Sequence, residues 1–157
     1  MTLLAIHVAL SVIGIVSGLV VLYGLLSGTA LGGWTALFLA TTILTSATGF
    51  PLAPFGFDPP RAVGILSLIL LAIAVGAYYL FHLAGAWRWI YVVTAMAALY
   101  LNCFVLVFQG FLKVSALHEL APTQSEPPFL IAQGAVLIIF VVFGLLALRK
   151  FHPRIAS

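Results

Sequence analysis

From Leu3 to Leu26 the chain reads LLAIHVALSVIGIVSGLVVLYGLL, an apolar run without one charged residue. About 20 such residues, wound as a helix, cross a hydrocarbon core about 30 Å thick. Four more segments of this kind follow, at about Gly33–Phe50, Arg61–Leu83, Trp87–Lys113 and Pro128–Lys150. The breaks between them are SGTALGG, LAPFGFDPP, AGAW and LAPTQSEPP. Only 6% of the residues are charged and 64% are hydrophobic, against roughly 25% charged in soluble domains. A chain of 157 residues cannot hide that much apolar surface from water, so its solvent is lipid. Inside lipid every backbone N–H and C=O must bond within the protein, which leaves helices where strand-length alternation is absent. The expected fold is all-α: a polytopic bundle of five transmembrane helices, forming a single domain over 1–157 with a short cytoplasmic tail at 151–157. The second segment is short and rich in Thr and Ser; if it is re-entrant, four spans remain. The N-terminal run lacks a basic n-region and a small-residue cleavage site, so it reads as a retained helix and not as a signal peptide.

Arg149, Lys150 and Arg154 lie in the tail and Arg88 in the loop between segments three and four, whereas Arg61 and Lys113 lie on the opposite side. The positive-inside rule then predicts a cytoplasmic C-terminus and an external N-terminus. Trp34, Trp87, Trp89 and Tyr91 are expected as an aromatic belt at the cytoplasmic interface, with His82 and His152 near the same surface.

LAPFGFDPP at Leu52–Pro60 and LAPTQSEPP at Leu120–Pro128 share one frame, and both fall on the external side. A residue before Pro is pushed out of the α region, as an N-cap must be, and Pro is tolerated in a helix's first turn. Asp58 and Glu126 are therefore expected to cap helices three and five, accepting free N–H groups at the positive end of the dipole. Arg61, three residues on, is placed to pair with Asp58. Two readings stay open: a parallel repeat of helices two–three and four–five, or the same capping solution reached twice.

Gly14 and Gly18 form a GxxxG spacing that lets helix one approach a neighbour closely. That neighbour is another helix of the chain, a second copy in a homo-oligomer, or a subunit of a larger membrane complex. Counting about 1.5 Å per residue from the external helix ends puts His7, Thr45, Ser67, Gln109 and Gln133 at nearly one level, with Asn102 deeper. Asn102, Gln109 and Lys113 share one helical face. Polar groups in lipid are costly and often functional. The functional reading is an externally open pocket binding a polar ligand, with Lys113, His118 and Glu119 at its mouth. The plainer reading is a set of interhelical hydrogen bonds.

No nucleophile motif, phosphate-binding glycine loop or pair of acids on a helix points to catalysis, and no basic run points to nucleic acid. Cys103 is the only cysteine, so no disulfide forms within the chain; set in an apolar segment, it reads as an inert thiol. His7 and His82 lie at opposite ends and do not suit a shared haem, and the His spacing gives no metal site.

The run LTSATGFPLAPFGFDPPRAVGILSL, followed by WRWIYVV, ALYLN and LAPTQSEPPF, resembles a group of small bacterial inner-membrane proteins without an assigned activity. The resemblance implies a bacterial inner membrane and transfers no functional residues. The expected role is small-molecule or ion binding and transport. The alternatives are an accessory subunit of a membrane complex and a haem- or quinone-binding electron carrier.

Overall fold

The computed structural model describes residues 2–52, 56 and 58–153. Ala53, Pro54, Phe55 and Phe57 of the first frame and Arg154 of the tail lie outside the described residues. Six helices follow one another: α1 (Leu3–Ser27), α2 (Gly32–Gly49), α3 (Pro59–Val75), α4 (Ala86–Lys113), α5 (Ser115–Leu120) and α6 (Pro127–Lys150). A π-helical stretch over Gly76–Leu80 carries α3 on to its end, and no strand occurs among the described residues. Four helices are long and apolar enough to cross a membrane: Leu3–Ser27, Pro59–Leu80, Ala86–Lys113 and Pro127–Lys150. The chain is an integral membrane helix bundle.

α2 is not among those four. Its 18 residues span about 27 Å, and it lies along α1 in the opposite direction. Leu31 meets Gly24 at one end of the pair, and Thr48 meets His7 at the other. The turn between them needs Gly28, which closes α1 at φ 72° and donates its N–H to the Gly24 and Leu25 carbonyls. A side chain is disfavoured at that φ.

Charge divides the bundle. Asp58, Glu119 and Glu126 stand at one end, here the acidic end, and Arg88, Arg149 and Lys150 at the other. The main apolar core belongs to the basic half. It is made of Leu22, Phe38, Leu71, Ala74, Val92, Ala98, Leu99 and Phe151, all nearly inaccessible. Tyr91 belongs to it too, 1% exposed, its hydroxyl 3.4 Å from Thr35 Oγ1. This corrects its expected place in the aromatic belt: Tyr91 turns inward, where Thr35 gives its O–H a partner. Trp34 and Trp89 are exposed, and Trp87 stacks on Phe81 at 3.9 Å.

Asp58 caps α3 from an extended backbone, with Pro59 and Pro60 in the first turn. Its carboxylate accepts from Arg61 N at 3.1 Å and from Arg61 Nη1 at 3.2 Å. The same guanidinium donates to the carbonyls of Phe50, Leu52 and Gly56, so one cation closes the loop before α3. Asp58→Ala is expected to cost about 0.5–2 kcal/mol, read as a lower unfolding midpoint by circular dichroism, with Asp58→Asn recovering most of it.

Glu126 behaves differently from its expected role. It occupies the N-cap position of α6, but its side chain makes no bond to the helix. The carboxylate instead accepts from Thr123 Oγ1 at 2.7 Å, Thr123 N at 3.2 Å and Ser125 N at 3.1 Å. These bonds, Thr123's hydroxyl foremost, hold its carboxyl below the ordinary range. Glu is one methylene longer than Asp, and its carboxylate reaches back over the preceding turn. The two frames thus share a Pro-Pro helix start and differ in what the acid does.

Candidate functional site in the acidic half

Half of the Ser and Thr hydroxyls within the helices bond their own backbone one turn back, as Ser and Thr do in apolar surroundings. Ser17 donates to Ile13 O at 2.6 Å, Thr41 to Leu37 O at 2.7 Å and Thr94 to Ile90 O at 2.7 Å. These residues spend their one hydroxyl proton on their own helix. Among the polar contacts that cross between helices, Asn102–Thr42 and His7–Thr48 mark two tiers.

The inner tier joins α1, α2 and α4. Asn102 Nδ2 donates to Thr42 Oγ1 at 3.4 Å. A Cβ on Gly14 would stand 3.1 Å from Thr42 Oγ1 and 3.5 Å from Asn102 Nδ2. Gly18, one turn deeper, faces Leu99 and Phe38 in the same way. The GxxxG face of α1 is therefore filled by the chain's own α2 and α4, and any assembly must use another surface. Ser67 is buried, 3% exposed; Gly64, three residues before it, faces Phe50 and Ser46. That register sets Ser67 beside the inner tier.

The outer tier lies at the acidic end. His7 Nδ1 is 3.0 Å from Thr48 Oγ1. Thr48 gives its one hydroxyl proton to Leu44 O at 2.7 Å, so the network assigns the proton between His7 and Thr48 to Nδ1. In the neutral ring Nε2 is then an acceptor. Thr45 lies one turn below Thr48 on α2. Gln109 lies seven residues beyond Asn102 on α4 and shares its face. Gln109 lies about 10 Å beyond Asn102 along α4, on the acidic side of the Asn102–Thr42 contact, as Thr45 and Thr48 lie beyond Thr42 on α2.

Gln133 is elsewhere. Its Nε2 donates to Phe104 O at 3.0 Å, five residues below Gln109 along α4, or about 7.5 Å. Phe104 also points about 200° around α4 from Asn102, so Gln133 lies across the helix from the His7 side. The expected single layer of His7, Thr45, Ser67, Gln109 and Gln133 is thus corrected to two tiers, with Gln133 apart. Lys113 is exposed at the end of α4, and His118 and Glu119 lie on the exposed surface of α5. Among the described residues no three His, Cys, Asp or Glu side chains gather as metal ligands.

Among the described residues three buried side-chain atoms have no partner: Thr45 Oγ1, Gln109 Oε1 and Gln133 Oε1. Two of them, Thr45 Oγ1 on α2 and Gln109 Oε1 on α4, lie on the acidic side of the Asn102–Thr42 contact. No family model matches the chain, nor does any curated protein or solved structure. The site therefore rests on its own chemistry.

Sequence reasoning missed three residues here. Thr42 and Thr48 carry the α2 side of both tiers; their signal is the run Thr41, Thr42, Thr45, Thr48 at helical spacing. Gln124, at φ 58°, donates to Phe108 O at 2.9 Å and fastens the last loop to α4. Only its place in the second frame pointed to it.

Proposed function

We propose that the protein binds a small hydrogen-bond-donating solute in the outer tier and moves it across a bacterial inner membrane. In this reading α2 is a fifth span, the acidic end is external and the basic end cytoplasmic, as the excess of cations there favours. The observation that carries the reading is the pair of buried, partnerless oxygens, Thr45 Oγ1 and Gln109 Oε1, both on the acidic side of the Asn102–Thr42 contact. An unmet buried acceptor costs about 1–3 kcal/mol, and native proteins hold few of them. The Gln109 carbonyl oxygen accepts and the Thr45 hydroxyl both accepts and donates, so the fitting solute carries an N–H or O–H, as an amine, amide or alcohol does. Beneath it, the Asn102–Thr42 contact and the close α1 backbone at Gly14 close the path, and passage requires that tier to part.

The test is a thermal-shift panel of small amines, amides and alcohols on the purified protein, repeated on His7→Leu/Gln109→Leu. One solute class is expected to raise the midpoint of the natural protein and to leave the double variant unmoved. The unliganded variant should unfold no earlier, because Gln109→Leu removes an orphaned acceptor worth about 1–3 kcal/mol. A panel without effect, or a shift that survives in the double variant, contradicts the proposal.

A further inference from the structure

A groove of about 280 Å³ runs between α4 and α6 in the basic half, away from the polar tiers. Val92, Met96 and Tyr100 on α4 and Phe140, Gly144 and Leu148 on α6 mark its course. From Val92 to Tyr100 it extends about 12 Å, close to one leaflet's share of a hydrocarbon core about 30 Å thick. Gly144 gives it depth, since a Cβ there would meet nothing within 4 Å.

The mouth of the groove is charged. One turn beyond Val92 on α4 comes Arg88, one turn beyond Val93 comes Trp89, and one turn beyond Leu145 on α6 comes Arg149. Arg88 uses Nη1 to bond Leu148 O and Phe151 O, and its other donors have no partner among the described residues. Arg149 is exposed, and the chain's three acids all stand at the far end. Among the described residues the one ion pair is Arg61–Asp58. An apolar channel one leaflet deep, ending at two arginines with no acid partner among the described residues, matches a lipid with an acyl tail and a negative head. Basic pockets between transmembrane helices bind anionic headgroups in this way.

We infer that this groove is a specific site for one anionic phospholipid, its acyl chain along Val92–Tyr100 and its phosphate between Arg88 and Arg149. The inference is independent of the solute site.

The experiment is native mass spectrometry of the detergent-purified chain, titrated with dioleoyl phosphatidylglycerol or with dioleoyl phosphatidylcholine. The first phosphatidylglycerol is expected to bind about tenfold or more tightly than phosphatidylcholine, and Arg149→Gln to remove about fivefold of that preference. Gly144→Phe, which fills the groove, should lower occupancy by both lipids with an unchanged unfolding midpoint. Equal binding of the two lipids by the natural protein overturns the inference. So does undiminished phosphatidylglycerol occupancy in Gly144→Phe, or a second protein chain that lipid does not displace. If Gly144→Phe fails to fold, a lipid preference unchanged by Arg149→Gln overturns it equally.

Discussion

Gly18→Leu is expected to destroy the folded bundle. A Cβ at this position would stand 2.5 Å from Leu99 Cδ1 and 3.0 Å from the Phe38 ring. Leu99 is 2% exposed and Phe38 1%, so neither neighbour has space to turn into. Forcing extra carbons into a packed core costs about 1–3 kcal/mol, and more where the surroundings cannot relax. Leu adds a branched side chain at the point where α1, α2 and α4 come together, and the cost falls at the upper end. The monodisperse gel-filtration peak and the cooperative thermal transition should both be lost. Gly18→Ala should lower the midpoint less, and Val16→Leu, on the exposed face of α1, should do nothing. A Gly18→Leu protein that stays folded and merely changes from dimer to monomer would contradict the intramolecular packing.

Arg88→Ala should release the basic end of α6. The last carbonyls of a helix lack intrahelical partners, and here Arg88 Nη1 supplies two of them, Leu148 O at 3.1 Å and Phe151 O at 2.8 Å. Hydrogen bonds from a charged donor contribute about 1.5–3 kcal/mol. The buried residues of α6 are Phe129, Gln133 and Ala147, near its two ends. Its other polar tie within the spans is Gln133 to Phe104 O. The variant should lose about 2–3 kcal/mol. Amide exchange should rise over the residues from Leu148 to Phe151 and stay unchanged in α2. Arg88→Lys should recover part of the loss, because an ammonium lacks the planar fork. Uniform exchange across the whole chain would show that Arg88 acts on global stability and not on α6.

The helix limits were legible because each is enforced locally: Pro-Pro opens α3 and α6, and Gly28 closes α1. α5 was not. Its six residues, SALHEL, bury no side chain, and so short a segment carries no periodicity against which to read it. The polar residues were legible as residues but not as a constellation. Counting from helix ends treats every end as level, whereas Phe129, in the first turn of α6, packs on Phe108 and Phe111. α4 therefore runs past the start of α6. That offset lowers Gln133 by more than a turn relative to Gln109. Tyr91 went astray for a related reason: depth along a helix does not say which way a side chain faces, and its partner Thr35 lies 56 residues away in sequence. The groove between α4 and α6 was illegible because it depends on the spacing of two helices.

Whether the outer tier holds a solute is decided by density at high resolution in a lipid nanodisc. A feature not belonging to the protein is expected within about 3 Å of Gln109 Oε1 and Thr45 Oγ1, and it should vanish in His7→Leu/Gln109→Leu. An outer tier closed by protein side chains, with both oxygens bonded to donors of the chain itself, would contradict it.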